Sequence, residues 1–350
     1  MKVLYLKRSF GRRGLISQVG REVRRRLFFY EQEGYFEASL HEAFSNITTT
    51  TARDAYRRSE AYSQDCDLVV VNRKTDHLPD RNQAESLRML GEAFDIPAVL
   101  LEIGADATQI PSDDVCDPYD LIFRRECLKD TGRYDLSAEN QQKLRTTMLP
   151  CLFVPLPRYS FSSWFERFFI PQAPSDLDAY DKQHDVFFCG QYSPQMSIRA
   201  KVVRTLKEHP EIDFHGGLQP KNEDVDVPGA LRFPRLSPDE YVRALKQSRI
   251  VLALDGIGQF TFRHLEAWHF GGFLMSAPSI RGLDLPLSAQ EGTHYISYDD
   301  TDDLIQKIIH YVEHPHERKE IADNGQNMFA SDYNPEKHGT YIHTELKEIP

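Results

Sequence analysis

Apolar residues come in short runs of strand length, and between the runs they recur every three or four positions. Runs at 3–6, 67–72, 98–103, 119–123 and 151–154 predict strands, because a strand covered on both faces reads as nearly continuous Val, Leu and Ile. The threonine run at 48–51 fits either a loop or an edge strand. A helical period follows the first strand to about position 30, with Leu15, Ile16, Val19, Val23 and Leu27 on one face. It returns over 83–94, with Ala84, Leu87, Leu90 and Phe94 inward, and a further helix is expected over 137–148. Strands alternating with helices point to a parallel sheet covered on both faces.

The alternation restarts near 186. Before it, 155–185 is punctuated by proline and aromatic residues without a period, which marks a boundary. A strand at 186–188 leads to a helix over 194–208 with Ile198, Val202, Val203 and Leu206 buried. A strand at 212–214 then runs into His215-Gly216-Gly217, read as a glycine loop. Ser237-Pro238-Asp239-Glu240 has the form of a helix start: a serine cap, proline in the first turn, and a glutamate closing a capping box. Strands at 249–255, 273–275 and 294–298 follow, then helices over 304–312, 315–330 and 338–347. The expectation is an α/β protein of two Rossmann-like domains facing a cleft. The domains are 1–157 and 185–335, with a linker at 158–184 and a last helix, in 336–350, free to return to the first domain.

The stretch 249–276 carries the most chemistry. After its strand comes Asp255-Gly256-Ile257-Gly258, then Thr261 as helix cap, and Gly271-Gly272 ends the helix. A polar loop at the carboxyl end of a parallel strand is where open α/β sheets bind ligands. Arg263 and Glu266 lie one turn apart near the helix start. A guanidinium beside a helix N-terminus grips phosphate, and a carboxylate beside it suits sugar hydroxyls; an ion pair on a solvated face is the plainer alternative.

In the first half, Glu102 and Asp106 follow the strand at 98–103 and are candidates for a general base. Arg124 and Arg125 follow the strand at 119–123 and are candidates for an anionic acceptor, with pairing to Glu126 as the alternative. The segment 7–26 is strongly basic, including Arg12 and Arg13, whereas the whole chain of 350 residues carries a net charge of −11. That contrast suits a phosphorylated acceptor or an anionic membrane surface, or only a solvated helix face, and argues against a general nucleic-acid binder. No apolar run approaches the ~20 residues of a bilayer span. The opening strand is broken too soon by Lys7-Arg8 for a signal peptide. The five cysteines are scattered without a C-x-x-C, which suits reduced thiols in a cytoplasmic protein, and the histidines show no metal-ligand spacing.

The pattern Arg263-His264-Leu265-Glu266-Ala267 followed by Gly271-Gly272 resembles the donor-binding element of GT-B-fold glycosyltransferases. It is closest to the spore-maturation-protein-B-like and group 1 families. Gly190 and Arg199 are similar to the glycine and arginine that open the donor domain there. Arg318, Ile321, Ala322 and Gly325 are similar to its end. The resemblance covers about 185–341. It implies sugar transfer from a nucleotide-sugar to a hydroxyl of a glycan, lipid-linked or other acceptor, without metal or cofactor. Arg263 would stabilise the diphosphate, and Glu266 would hold ribose. Gly190, Arg199, His215, Gly216, Gly258, Gln259, Thr261 and Phe262 would line the donor. Many retaining members carry Glu-x7-Glu, but the earlier position here is Gly258. The rivals are a nucleotide-sugar 2-epimerase and a non-catalytic nucleotide-sugar-binding protein. The expected location is cytoplasmic, with peripheral attachment at the inner face of a membrane as an option.

Overall fold

The structure is a computed structural model describing residues 1–6, 33–154, 156, 181–192, 197–220 and 225–349. The expected helix after the first strand, Arg12 and Arg13, and most of the expected linker lie outside the described residues.

The chain divides into two units. Unit 1 comprises Met1–Phe169, Gly282–Pro286 and Asn334–Pro350; unit 2 comprises Ile170–Arg281 and Leu287–Tyr333. The strands of unit 1 are β1 (Lys2–Leu6), β2 (Asn46–Thr50), β3 (Leu68–Asn72), β4 (Ala98–Glu102), β5 (Leu121–Arg124), β6 (Cys127–Leu128) and β7 (Leu144–Thr146). All but β6 form a parallel sheet in the order β2-β1-β3-β4-β5-β7. The apolar runs explain it: Val69, Val70, Val71, Val99, Leu100 and Leu101 are fully buried, as strands covered on both faces require. The threonine run is the edge strand β2, where β-branched residues suit a pleated surface.

The helix expected over 137–148 stops after Ala138–Gln142, and β7 follows it directly. Asn140, buried, turns its side-chain amide to Asp113 (2.6 Å) and Asp117 (2.7 Å), and a helix interior gives such a residue little support. The closing strand is therefore β7, and 151–154 contains none. Ala84 is exposed rather than inward. The last helix, Pro335–Lys347, packs on the Gly34–Ala43 helix within unit 1, with Ile342 and Leu346 buried.

Unit 2 contains β8 (His184–Tyr192), β9 (Phe214–Pro220), β10 (Ser248–Ala253) and β11 (Leu274–Ser276). The short β12 (Leu283–Asp284) belongs to unit 1, where it pairs antiparallel with β6. β13 (Ile296–Ser297) completes the second sheet, in the parallel order β13-β11-β10-β8-β9. Two of its helices are capped by side chains at their starts. Ser237 accepts from the Glu240 amide (3.3 Å), and the Glu240 carboxylate returns to the Ser237 amide (2.8 Å). Asp300 caps Thr301–Glu313 through the amides of Asp302 and Asp303. Arg318 closes that helix's far end by donating to the carbonyls of Tyr311 and Val312. Two expectations fail. Ile198 is 65% exposed, and the glycine loop at 215–217 is the interior of β9.

Candidate functional site

The site is assembled at the carboxyl ends of β8 and β10. Arg199, in the third position of helix Ser197–Glu208, reaches back over both strand ends. Its Nε donates to the Asp255 carbonyl (2.5 Å), Nη2 to the Leu254 carbonyl (3.1 Å) and Nη1 to the Gln191 carbonyl (3.2 Å). Arg263, in helix Phe262–His269, donates to the Cys189 carbonyl and, at 3.4 Å, to the Tyr241 hydroxyl. Both guanidiniums lie over the Phe188 ring, at 5.8 Å for Arg199 and 5.0 Å for Arg263. Two cations therefore share one aromatic ring of β8.

Both arginines are half-buried, and among the described residues neither has a carboxylate within ion-pair distance. Burial, with the Arg263 charge second, holds Arg199 down to about 10, so it is still a cation at neutral pH. The acid beside Arg263 in this network is Glu266, 5% exposed, which accepts from the Tyr241 hydroxyl at 2.5 Å. Burial raises the Glu266 carboxyl, while Arg263 and Tyr241 pull it back. Burial likewise pushes the Tyr241 phenol well above its usual value. Tyr241 thus links the expected pair, Arg263 and Glu266, which otherwise have separate partners.

The helix bearing Arg263 is fixed at both ends. The Thr261 amide donates to His264 Nδ1 (3.1 Å), which places the His264 proton on Nε2, against the Ser276 hydroxyl (2.8 Å). Burial lowers His264 to about 4, so the ring is neutral and structural. At the other end Gly271, at φ 65°, supplies the left-handed turn, and the Gly272 amide returns to the Ala267 carbonyl (2.7 Å). Trp268, fully buried, donates to the His294 carbonyl (2.9 Å). Thr261, Phe262 and Gln259 surround the helix start and are half-buried.

Some expected residues belong elsewhere. His215 lies near the amino end of the sheet, stacked on His184 with ring centres 4.3 Å apart, because its strand begins one residue before it. Gly216 is needed for packing: at φ 150°, a Cβ there would overlap the Phe188 carbonyl. Gly258 accepts from the Gly256 amide (2.9 Å), and the close approach to Arg199 falls to Gly256 instead. Gly190 lies beside Phe188 and Arg199. The sequence does not single out Tyr241 and Phe188 as site residues, and Gly256 reads there as a loop glycine without a role toward the donor. Their roles come from contacts between elements, and only the glycine repeat of the loop hinted at one of them.

Among the described residues of unit 1, the candidates Arg124, Arg125 and Glu102 are committed to the fold. Arg124, fully buried, donates to the carbonyls of Asp106 (3.0 Å) and Gln109 (2.6 Å), pinning the loop after β4. Arg125 is buried against Glu126 (2.7 Å). Both arginines therefore serve loops rather than an open surface, contrary to the acceptor role expected of them. Glu102 is 0% exposed and holds Arg73 (2.5 Å) and the Gly104 amide (2.6 Å). Asp106 is half-buried and caps Thr108 through one carboxylate oxygen.

Residues 199–344 match a family described as glycosyl transferase-like. No curated protein matches the chain by sequence. Among solved structures, Anabaena HepE with UDP and glucose is similar at 12% identity over 99% of both chains, with a TM-score of 0.54. The same protein with UDP-glucose gives 11% identity, 99% coverage of both chains and a TM-score of 0.54. An alpha-glucosyltransferase with UDP and a 13-mer DNA gives 12% identity, coverage of 98% and 99%, and a TM-score of 0.52. At such identities the likeness is one of fold. The chain has two α/β units with parallel sheets, the GT-B fold.

Proposed function

We infer that this chain is a glycosyltransferase that moves a sugar from a nucleotide-sugar to an acceptor hydroxyl, with unit 2 as the donor half. The observation that carries the reading is the pair Arg199 and Arg263 on the Phe188 ring, two cations held by backbone carbonyls and, for Arg263, the Tyr241 hydroxyl. In transfer, the bond from the anomeric carbon to the phosphate oxygen breaks, and the departing nucleoside diphosphate keeps the electron pair. Guanidiniums already oriented by carbonyls stabilise that added charge without reorganising. The start of helix Phe262–His269 adds partial positive charge, so neither metal nor cofactor is required. The R-x-x-E-A pattern keeps the spore-maturation-protein-B-like and group 1 families as nearest kin. The neighbours crystallised with UDP or UDP-glucose make a uridine nucleotide the first donor to test.

The acceptor hydroxyl must lose its proton as the new bond forms. Of the two carboxylates considered, Asp106 is the better base: it is half-exposed, whereas Glu102 is fully buried and bonded to Arg73. The acceptor is a glycan, lipid-linked or similar hydroxyl compound. Among the described residues no helix is long and apolar enough to cross a membrane, and the basic segment 7–26 is the candidate for contact with an anionic membrane surface.

Arg263→Ala and Arg199→Ala are each expected to lower kcat/KM by roughly 10²–10³, about 3–4 kcal/mol, with the fold retained by circular dichroism. Wild-type activity should survive chelation. A fully active Arg263→Ala enzyme would remove the mechanism, and product from donor alone would indicate epimerisation instead.

A further inference from the structure

We propose that the turn Arg73-Lys74 is a phosphate-binding subsite of unit 1, and that the acceptor carries a phosphate group. The word acceptor rests on the glycosyltransferase reading; the anion site itself does not.

Topology places the turn. In the order β2-β1-β3-β4-β5-β7 the chain leaves β1 to one side for β2 and to the other for β3. The strand order reverses there, and the carboxyl ends of β1 and β3 border the crevice in which such sheets bind ligands. Arg73 and Lys74 immediately follow β3.

The turn is built to present two cations. Lys74 donates its amide to Asn72 Oδ1 (2.9 Å), and the Thr75 amide closes onto the Asn72 carbonyl (2.8 Å). The Arg73 amide bonds the Leu101 carbonyl (3.0 Å), and the Arg73 carbonyl accepts from the Gln83 side chain (2.8 Å). Each charge is then aimed by a buried carboxylate on another element. Arg73 Nη1 is held by Glu102 at 2.5 Å, and Lys74 Nζ by Glu33 at 3.4 Å. The carboxylates are 0% and 3% exposed, while Arg73 and Lys74 keep 36% and 35%. The exposed ends of both pairs are thus the positive ones.

Glu102 takes only Nη1, which leaves Nε and Nη2 of Arg73 as a fork. A fork beside a point charge matches a phosphate dianion better than a carboxylate monoanion. Glu102 then acts as a positioning residue for Arg73.

The test uses the full chain saturated with UDP, so that Arg199 and Arg263 are engaged, and titrates inorganic phosphate and acetate by calorimetry. Wild type is expected to bind phosphate at least tenfold more tightly than acetate. Phosphate affinity should fall at least tenfold in Lys74→Gln and in the double variant Arg73→Gln/Glu102→Gln, which avoids stranding a buried carboxylate. UDP affinity should stay within twofold in both. Unchanged phosphate affinity in both variants overturns the proposal, and equal binding of acetate overturns the phosphate assignment. Failure of the donor reading would appear separately, as wild type that does not bind UDP. The phosphate titration is then run on Arg263→Ala and still reports on the turn.

Discussion

A single methyl group can separate the two jobs of the donor-side loop. At Gly256 an added Cβ would come within 2.6 Å of Arg199 Nη2, the flexible end of a long side chain. The guanidinium must move, while the strand behind it need not. Gly256→Ala is therefore expected to weaken UDP binding about tenfold, ~1.4 kcal/mol, while the melting temperature changes little. Isothermal titration and a melt on the same sample check both halves of that statement; tight binding would show that Arg199 does not touch the diphosphate. Arg263 and Glu266 were legible as a pair because helical spacing sets them on one face. Tyr241, which joins them, was not, since a link between two helices has no local pattern. Arg124 misled for a related reason: a cation after a strand reads as a ligand group, yet here it holds three loop carbonyls.

Caps and apolar runs made the elements of unit 2 readable. Ser237 and Glu240 close the box that starts helix Pro238–Gln247, and that helix carries Tyr241 to Arg263. Ser237→Ala should cost about 1 kcal/mol and lower the melting temperature of this unit by about 3 °C. Because the rest of the helix is held by Val242, Ala244 and Leu245, which are buried, transfer should be little changed below that temperature. A melt and an activity assay decide it, and loss of activity without loss of stability would mean the cap does more than start a helix. Readings failed where tertiary contacts overrode local pattern. Ile198 has a helical period with its neighbours yet is left exposed, and His215-Gly216-Gly217 has turn composition yet forms strand, because Gly216 lets β9 lie against Phe188. The helix over 138–142 is short, and Asn140 within it bonds two aspartates distant in sequence.

At the scale of the whole molecule, each unit encloses a histidine that must stay neutral. In unit 1, His338 lies 7% exposed with Nε2 on the Thr147 hydroxyl (2.8 Å), tying the last helix to the segment after β7. In unit 2, His264 ties the Arg263 helix to β11. Burial lowers both to about 4, from an ordinary value of 6.5. A folded-state value below the unfolded one means that the unfolded chain takes up a proton the folded chain refuses. The stabilisation is thus complete above pH 6.5 and lost progressively as pH falls towards 4. At 1.36 kcal/mol per unit, each histidine removes about 3 kcal/mol over that window, a large part of an ordinary domain's ~5–15 kcal/mol. Calorimetric melts from pH 7.5 to 4.5 should show both units losing stability together below about pH 6.5. His338→Gln should flatten the profile of unit 1 alone, since the contacts of His264 lie within the other unit. Melting temperatures that hold constant down to pH 4.5 would mean that these rings are reached by water, and that the helix bearing Arg263 is not anchored through His264.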